Sequence, residues 1–232
     1  MSPHRPKRHG QSLVWKIILP IIAVFVLLLG AILLYVPQVV RGYAIEEATL
    51  RAEETVNQFK LLRGYYTQKV IKKVLANSSI NVTFDHQVRP NAIPLPATMV
   101  HDLSREFAKQ GTTIKLYSGY PFPNRIERRL DDFGQDAWQV LSMMPESSYT
   151  RIEQNGRGEN IVRVAIADKM VDSSCVACHN IHPQSPKRDW SLGDVRGVLE
   201  VAASIDEAIN NGERLSLKLI IILTLAVLII IV

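Results

Sequence analysis

Cysteine is scarce in this chain, which has only two among 232 residues. They stand at positions 175 and 178, and His179 follows the second directly. A structural zinc site needs four ligands, and no second cysteine pair exists to complete such a set. A Cys-x-x-Cys redox disulfide does not require the histidine, and it usually lies near a βαβ pattern that this sequence lacks. The two cysteines therefore point away from both of these uses.

Aromatic residues are also few, at 7%, and no basic stripe is interleaved with them. The formal net charge is +5, and a cluster of basic side chains lies in the first sixteen residues. Positive charge beside an apolar segment is typical of the cytoplasmic flank of a membrane helix. The composition therefore predicts a membrane as partner and gives no support to nucleic acid.

The segment Ile17–Val36 contains only apolar residues, glycine, proline and tyrosine. About 20 such residues are enough to cross a bilayer as a helix. A signal peptide has a shorter apolar region, of about 7–15 residues, followed by a small-residue cleavage site. Here Pro37–Arg41 follows, which is a poor cleavage site. We therefore expect an uncleaved anchor with a cytoplasmic N-terminus and the following domain across the membrane.

A second apolar run, Leu219–Val232, has 14 residues, of which only Thr224 is polar. At about 1.5 Å per residue it would cover roughly 21 Å, less than the roughly 30 Å hydrocarbon core. We expect a natural chain that continues past Val232 into the cytoplasm; the alternative is a complete protein with a short C-terminal anchor. The predicted division is a basic cytoplasmic tail (1–12), a first transmembrane helix (13–40), a periplasmic domain (41–212) and a second transmembrane helix (213–232).

The segment between the two apolar runs is predicted to be an α+β domain with an antiparallel sheet and flanking helices. Periodicity and turn signals predict helices over residues 43–75, 98–110 and 124–144 and from 205 onward, strands over 114–122, 160–170 and 195–204, and a polar turn-rich stretch over 77–96. Asn155–Gly158 is predicted to be a hairpin turn. The two cysteines are expected in a loop.

Cys-x-x-Cys-His is the attachment signature of c-type haem. The chemistry needs this spacing because the two thiols add to two vinyl groups of one porphyrin, while His179 reaches the iron from one side. In bacteria this attachment takes place outside the cytoplasm, on the side to which the first apolar run directs the domain. The sequence therefore predicts one covalent haem c, held by Cys175 and Cys178, in a periplasmic domain at the bacterial inner membrane.

Further motifs occur together with this signature, at Cys175–Trp190, Gly193–Glu200, Ile93–Thr98, Tyr117–Ser118, Tyr120–Arg125 and Leu130–Phe133. Over roughly residues 43–204 the chain resembles the monohaem c-type PAS-like sensor family, which was long catalogued as a domain of unknown function. The resemblance implies a PAS-like antiparallel sheet with one covalent haem, between two transmembrane helices and ahead of a chemoreceptor, histidine kinase or cyclase output. It implies that His179 is the proximal ligand, and it transfers no distal ligand.

Other candidate haem contacts are predicted by residue type. Arg125, Lys187 and Arg188 are candidate partners of the haem propionates, because guanidinium groups match carboxylates in a bidentate fork. The alternative for these three is solvated surface charge. Trp190 is expected to pack against the porphyrin edge or the core. For the distal position we predict Met99 first and His101 second; the other residues considered are His86, Tyr66, Met143, Met144 and Met170, of which Met143 and Met144 are expected in the core.

The predicted function is that of a sensor domain in a signalling receptor, which reports redox state or a diatomic gas across the membrane. The alternative is a membrane-tethered monohaem electron carrier, for which one anchor would be enough. An enzyme has little support, because no general base and nucleophile cluster apart from the haem motif. Partners are therefore expected to include the membrane and a diatomic gas or redox partner, and homodimerisation is plausible for a receptor.

Overall fold

The structure is a computed structural model that describes residues 10–77 and 79–231. Most of the predicted basic tail (1–12), and Val232, lie outside the described residues. The chain divides into two compact units. One comprises the two ends of the chain, up to Ala44 and from Glu207, and the other is Ile45–Asp206.

The unit formed by the chain ends is helical. Helix α1 begins at Gly10 and ends at Tyr65, and the last helix, α6, is Asp206–Ile231. Within the described residues, one helical stretch, Trp15–Ala76, is long and apolar enough to cross a membrane. A Cβ placed on Gly212 would collide with Val40, so the two helices approach closely at that glycine. The predicted helix from residue 205 is confirmed, and its crossing of a membrane stays a prediction.

In the other unit, the predicted helix over 43–75 is confirmed, with one irregularity. A π-helical segment, Tyr66–Ile71, separates α1 from a short helix α2, Lys72–Asn77. The buried residues of this stretch include Val56, Phe59 and Ile71. The extra residue in each π turn shifts the phase of the buried face. After it, Ile71 is buried where the regular 3.6-residue pattern placed Val70, which is half-buried. Leu62, which that pattern also placed on the buried face, is exposed.

Four strands form an antiparallel sheet in the order β3-β6-β5-β4, so the predicted α+β class is confirmed. Their bounds are β3 Thr112–Tyr117, β4 Ser148–Gln154, β5 Asn160–Lys169 and β6 Val195–Ser204. The hairpin at Asn155–Gly158 is confirmed: Asn155 Oδ1 accepts hydrogen bonds from the backbone N–H groups of Arg157 and Glu159. Strand β3 ends before the predicted Phe122, because the chain leaves the sheet at Ser118, whose hydroxyl donates to the carbonyl of Arg196.

Two helices pack beside the sheet. Helix α3 is Pro96–Ala108, close to the predicted 98–110, and α4 is Asp132–Met143. The predicted start of α4 at Asn124 is wrong, because Asp131 caps the helix by accepting the N–H of Gly134 at 2.9 Å. Asn124 instead lies in a 3₁₀ turn, Pro123–Arg125.

The core of this unit lies between α4 and the central strands. Phe133, Ala137 and Leu141 of α4 are buried together with Ala165, Ala167 and Val198. Met143 and Met144, predicted in the core, are 67% and 55% exposed, because α4 ends there and turns its last residues toward solvent. The stretch predicted as turns contains a small parallel pair of strands, β1 Asn81–Thr83 and β2 Ala92–Pro94.

A group of charged side chains is buried on the sheet. Arg163 is 5% exposed and Glu200 is fully buried. Arg163 Nε donates to Glu200 Oε1 at 2.9 Å, and the guanidinium also contacts Glu153 at 2.7 Å and Asp131 at 3.0 Å. It lies 4.1 Å from the centre of the Phe133 ring. Buried charges persist only when they are paired in this way.

Candidate haem attachment site

The two cysteines lie on a helix, α5 Ser173–Ile181, and the predicted loop is therefore wrong. Asp172 caps this helix by accepting the N–H of Ser174 at 2.9 Å. Lys72 Nζ donates to the other carboxylate oxygen at 2.8 Å. The hydrogen bonds from Lys72 and then Ser174 lower the pKa of Asp172 to about 2. The start of α5 is thus fixed by a carboxylate that stays charged over the physiological range.

Both thiols are free, and their spacing of three residues places them on neighbouring turns of one helix face. Cys175 is half-buried and Cys178 is exposed. Partial shielding from water by the surrounding protein raises the pKa of both thiols, although the Cys178 residue as a whole is exposed, so both carry their proton at neutral pH. A protonated thiol can add across a vinyl group, with sulfur going to one carbon and hydrogen to the other. The donor set therefore fits a thioether-linked porphyrin.

His179 follows on the same helix and is held from one side. Its Nδ1 accepts a hydrogen bond from Arg196 Nε at 3.1 Å, and its ring packs 5.5 Å from the Phe122 ring, centre to centre. Burial, and then the charge of Arg196, lower the pKa of His179 to about 4, so the imidazole is neutral at neutral pH. A neutral imidazole is the form that ligates a metal. In the tautomer that accepts from Arg196, Nε2 carries the proton, so iron ligation through Nε2 requires that contact to break or that proton to leave.

Arg196 is the residue of this site that the sequence analysis missed. Its Nη1 donates to Ser118 Oγ at 2.6 Å, and its guanidinium lies 5.4 Å from the centre of the Trp190 ring. It forms no ion pair with any carboxylate of residues 10–77 and 79–231. Burial lowers the pKa of Arg196 to about 10. A half-buried guanidinium without a carboxylate is suited to a carboxylate of a ligand. No local sequence signal distinguishes Arg196, because it lies on β6 and only the tertiary fold brings it to His179 on α5.

The three cationic side chains that were predicted to meet the propionates have protein partners. Lys187 Nζ pairs with Asp189 at 2.6 Å, and exposed Arg188 donates to the carbonyl of Pro183. Arg125 donates to His101 Nε2 at 2.5 Å. The roles of all three toward haem stay predictions. Trp190 is buried, in agreement with its expected packing.

The distal candidates are dispersed over several elements. Tyr66 donates to the carbonyl of Pro94 at 2.9 Å, and His86 pairs with Asp102 at 3.4 Å. His101 accepts from Arg125, and Met170 is buried just before α5. Met99 is half-buried in the first turns of α3. Tyr66, His86 and His101 would each have to give up a polar contact to bind iron, whereas the thioether of Met99 has none to lose. Met99 therefore stays the first distal candidate, as a prediction.

The space beside Cys175 is small. A cavity of about 30 Å³ is lined by Lys60, Gly64, Thr67 and Cys175, among others, and both oxygens of Asp168 meet Arg63 at its wall. A drug-sized ligand occupies pockets of roughly 300 Å³ or more, and a porphyrin is no smaller. The groups around Cys175 must therefore separate, or the porphyrin must lie against the exposed side of α5.

Comparison with known proteins adds one match. Residues 41–204 match the family model described as Tll0287-like. No curated protein and no solved structure matches the chain. The matched range contains α5 and the whole antiparallel sheet, and it leaves out the apolar segments Ile17–Val36 and Leu219–Val232.

Proposed function

Because the chain belongs to the Tll0287-like family, we propose that it is a membrane-anchored sensor that carries one covalent haem c. The observation that carries this proposal is the placement of two free thiols and a neutral imidazole on one short helix, α5. When bound, haem supplies a redox-active iron whose axial position is able to accept a diatomic gas. The signal read would be redox state or such a gas.

Three residues of α5 and two residues outside it have separate roles in this proposal. Cys175 and Cys178 form the thioether bonds, and His179 is the proximal ligand. Asp172 fixes the N-terminus of the helix through its hydrogen bond to Ser174. Holding iron through Nε2 would require His179 either to carry its proton on Nδ1, which would end the hydrogen bond from Arg196, or to lose that proton. Arg196 would be a further candidate partner for a propionate, beside Arg125, Lys187 and Arg188.

The membrane arrangement is supported by α1. The apolar part of the Trp15–Ala76 stretch fits an anchor for a periplasmic domain. In this proposal the cytoplasmic tail, the two spans and the domain have the limits predicted from the sequence. The antiparallel order of the four strands agrees with a PAS-like sheet. Helix α6 would be the second span, and two spans that flank one domain favour a receptor over a carrier, which needs one anchor.

An electron carrier is the second candidate, favoured by the exposure of α5. Cys178 is exposed and Ile181 is 77% exposed, so a porphyrin held here would leave an edge open to a redox partner. A carrier keeps two strong axial ligands, whereas a gas sensor needs a vacant or displaceable sixth position. The distal side of the iron therefore decides between the two functions.

Carbon monoxide binding to the reduced full chain tests this choice. We expect a shift of the Soret band on addition of carbon monoxide, and faster binding in Met99→Leu because a displaceable thioether has been removed. Met143→Leu is the matched control, since Met143 is exposed on α4. A reduced spectrum that carbon monoxide leaves unchanged would exclude gas sensing and favour a redox sensor or a carrier. Equal binding rates in Met99→Leu and wild type would remove Met99 as distal ligand.

A further inference from the structure

A second cavity, of about 340 Å³, lies between α3 and the connection of β1 to β2. Thr98, His101 and Arg105 line it from one face of α3, since they follow at steps of three and four residues. Residues 84–88 line the opposite side, and the 3₁₀ turn with the residues after it contributes Arg125 and Arg128. Pockets for small organic molecules begin at about 300 Å³, so the cavity is large enough for a ligand.

The acidic side chains of this cavity already have cationic partners. Asp102 pairs with Arg105 at 2.5 Å and with His86 at 3.4 Å. Asp85 pairs with Arg89 at 2.6 Å. Neither carboxylate forms an ion pair with the two remaining arginines of the lining, although the charge of Asp102 partly offsets that of Arg125.

Those two arginines, Arg125 and Arg128, form no ion pair with a carboxylate anywhere in the described parts of the chain. Both instead converge on His101, with Arg125 Nη1 at 2.5 Å and Arg128 Nη1 at 3.2 Å from its Nε2. Burial and then the charge of Arg125 lower the pKa of His101 to about 3, so the ring between the two cations is neutral. Burial and then Arg128 lower the pKa of Arg125 to about 10.

This arrangement is electrostatically incomplete. Two guanidinium groups are held close together beside a cavity, and one of them, Arg125, is half-buried with neutral hydrogen-bond partners, His101 and Thr98. Holding two like charges together is unfavourable, and the partial burial of Arg125 adds to the cost, unless an anion is also present. Each guanidinium is a planar fork that matches one carboxylate in a bidentate contact. Two forks around one cavity therefore match two carboxylates better than one compact anion.

We propose that this cavity binds a short aliphatic dicarboxylate, with one carboxylate on Arg125 and the other on Arg128. The Thr98 hydroxyl, 3.4 Å from Arg125, is placed to donate to the same carboxylate. The site would give the domain an input from small organic acids, separate from the haem. It assigns Arg125 to this ligand in place of a haem propionate, and it does not depend on the thioether bonds at α5.

Calorimetric titration of the detergent-solubilised full chain with succinate, at constant ionic strength, tests the proposal. We expect saturable binding, which Arg125→Gln and Arg128→Gln each weaken by about ten- to a hundredfold, because a hydrogen bond to a charged group is lost. Arg129→Gln is the matched control, with the same loss of charge on an exposed neighbour that does not line the cavity. Acetate and inorganic phosphate should bind more weakly than succinate.

The source of the carboxylates is tested by repeating the titration on Cys175→Ser/Cys178→Ser, which cannot form thioethers. Equal succinate affinity with and without haem supports a separate site. Binding to the haem-free chain alone would show that propionates occupy the arginines, which would overturn this proposal and leave the haem assignment intact. Absence of saturable binding, or unchanged affinity in Arg128→Gln, would also overturn it. Arg128 is exposed, so its variant keeps the test available if Arg125→Gln fails to fold.

Discussion

Replacing Arg163 should destabilise the domain more than replacing Glu200, although both changes break the same buried ion pair. In Glu200→Gln the guanidinium keeps two carboxylates, Glu153 at 2.7 Å and Asp131 at 3.0 Å. In Arg163→Met the fully buried Glu200 carboxylate keeps only Lys115, whose Nζ lies 3.7 Å away. The loss in the free energy of unfolding depends on which buried charge remains without a partner, and less on the ion pair that both variants lose.

The structure allows these costs to be estimated. Glu200→Gln loses charge-assisted hydrogen bonds while the amide still fills the space, which costs about 1.5–3 kcal/mol. Arg163→Met leaves the buried carboxylate with only the more distant Lys115 as a charged partner among the described residues, and removing one partner of a buried pair costs about 3–5 kcal/mol. The double variant Arg163→Met/Glu200→Met removes both buried charges, and replacing a buried pair by apolar groups is often neutral or stabilising. It should therefore be more stable than Arg163→Met alone.

Urea unfolding of the solubilised full chain, followed by the fluorescence of Trp138 and Trp190, measures the three free energies. The reasoning is refuted if Arg163→Met lies within about 1 kcal/mol of wild type, far below the expected penalty. It is also refuted if the double variant is less stable than Arg163→Met, since the residual charge would then not be the cause.

Two further predictions concern the start of α5 and the topology. The pKa of Asp172 is depressed in the folded state, from an ordinary value of 3.8 to about 2, by hydrogen bonds from Lys72 and Ser174. Its contribution to the free energy of unfolding is thus present above about pH 4 and is lost as the pH falls toward 2. At pH 6, Asp172→Asn should have a lower urea midpoint than wild type. A difference in midpoint that stays the same below pH 3 would contradict this. A reporter enzyme active only outside the cytoplasm should be active when fused after Asn155 and silent when fused after Gly10, and the reverse pattern would overturn the periplasmic assignment.

Local sequence signals predicted the elements whose structure depends on near neighbours. Strand β6 was predicted with its observed bounds, Val195–Ser204, because a glycine turn precedes it and apolar residues fill it. The hairpin at Asn155–Gly158 followed from turn residues whose side-chain hydrogen bonds are themselves local. Helix α3 was predicted within about two residues, and the shift at its start arises because Pro96, assigned to the preceding turn-rich stretch, is instead the first residue of the helix.

The errors have physical causes of two kinds. The start of α4 was predicted wrongly because Asn124 and Asp131 are both good capping residues. Only the hydrogen bond from the Gly134 N–H to Asp131 shows that Asp131 caps the helix. The cap of α5 by Asp172 could have been found from the sequence, because an aspartate precedes Ser173–Ile181 directly. Other features depend on residues far apart in the chain. Arg196 contacts His179 across 17 positions, and Arg128 contacts His101 across 27 positions.

The intact mass of the chain, produced in a bacterial host that attaches haem outside its cytoplasm, tests the central claim most directly. We predict a mass that exceeds the sequence mass by one haem and survives denaturation, with the added mass on the peptide that contains Cys175 and Cys178. The double variant Cys175→Ser/Cys178→Ser should show the mass of the bare chain. A wild-type chain of unmodified mass, or a haem that denaturation removes, would contradict the assignment of α5 as a haem attachment site.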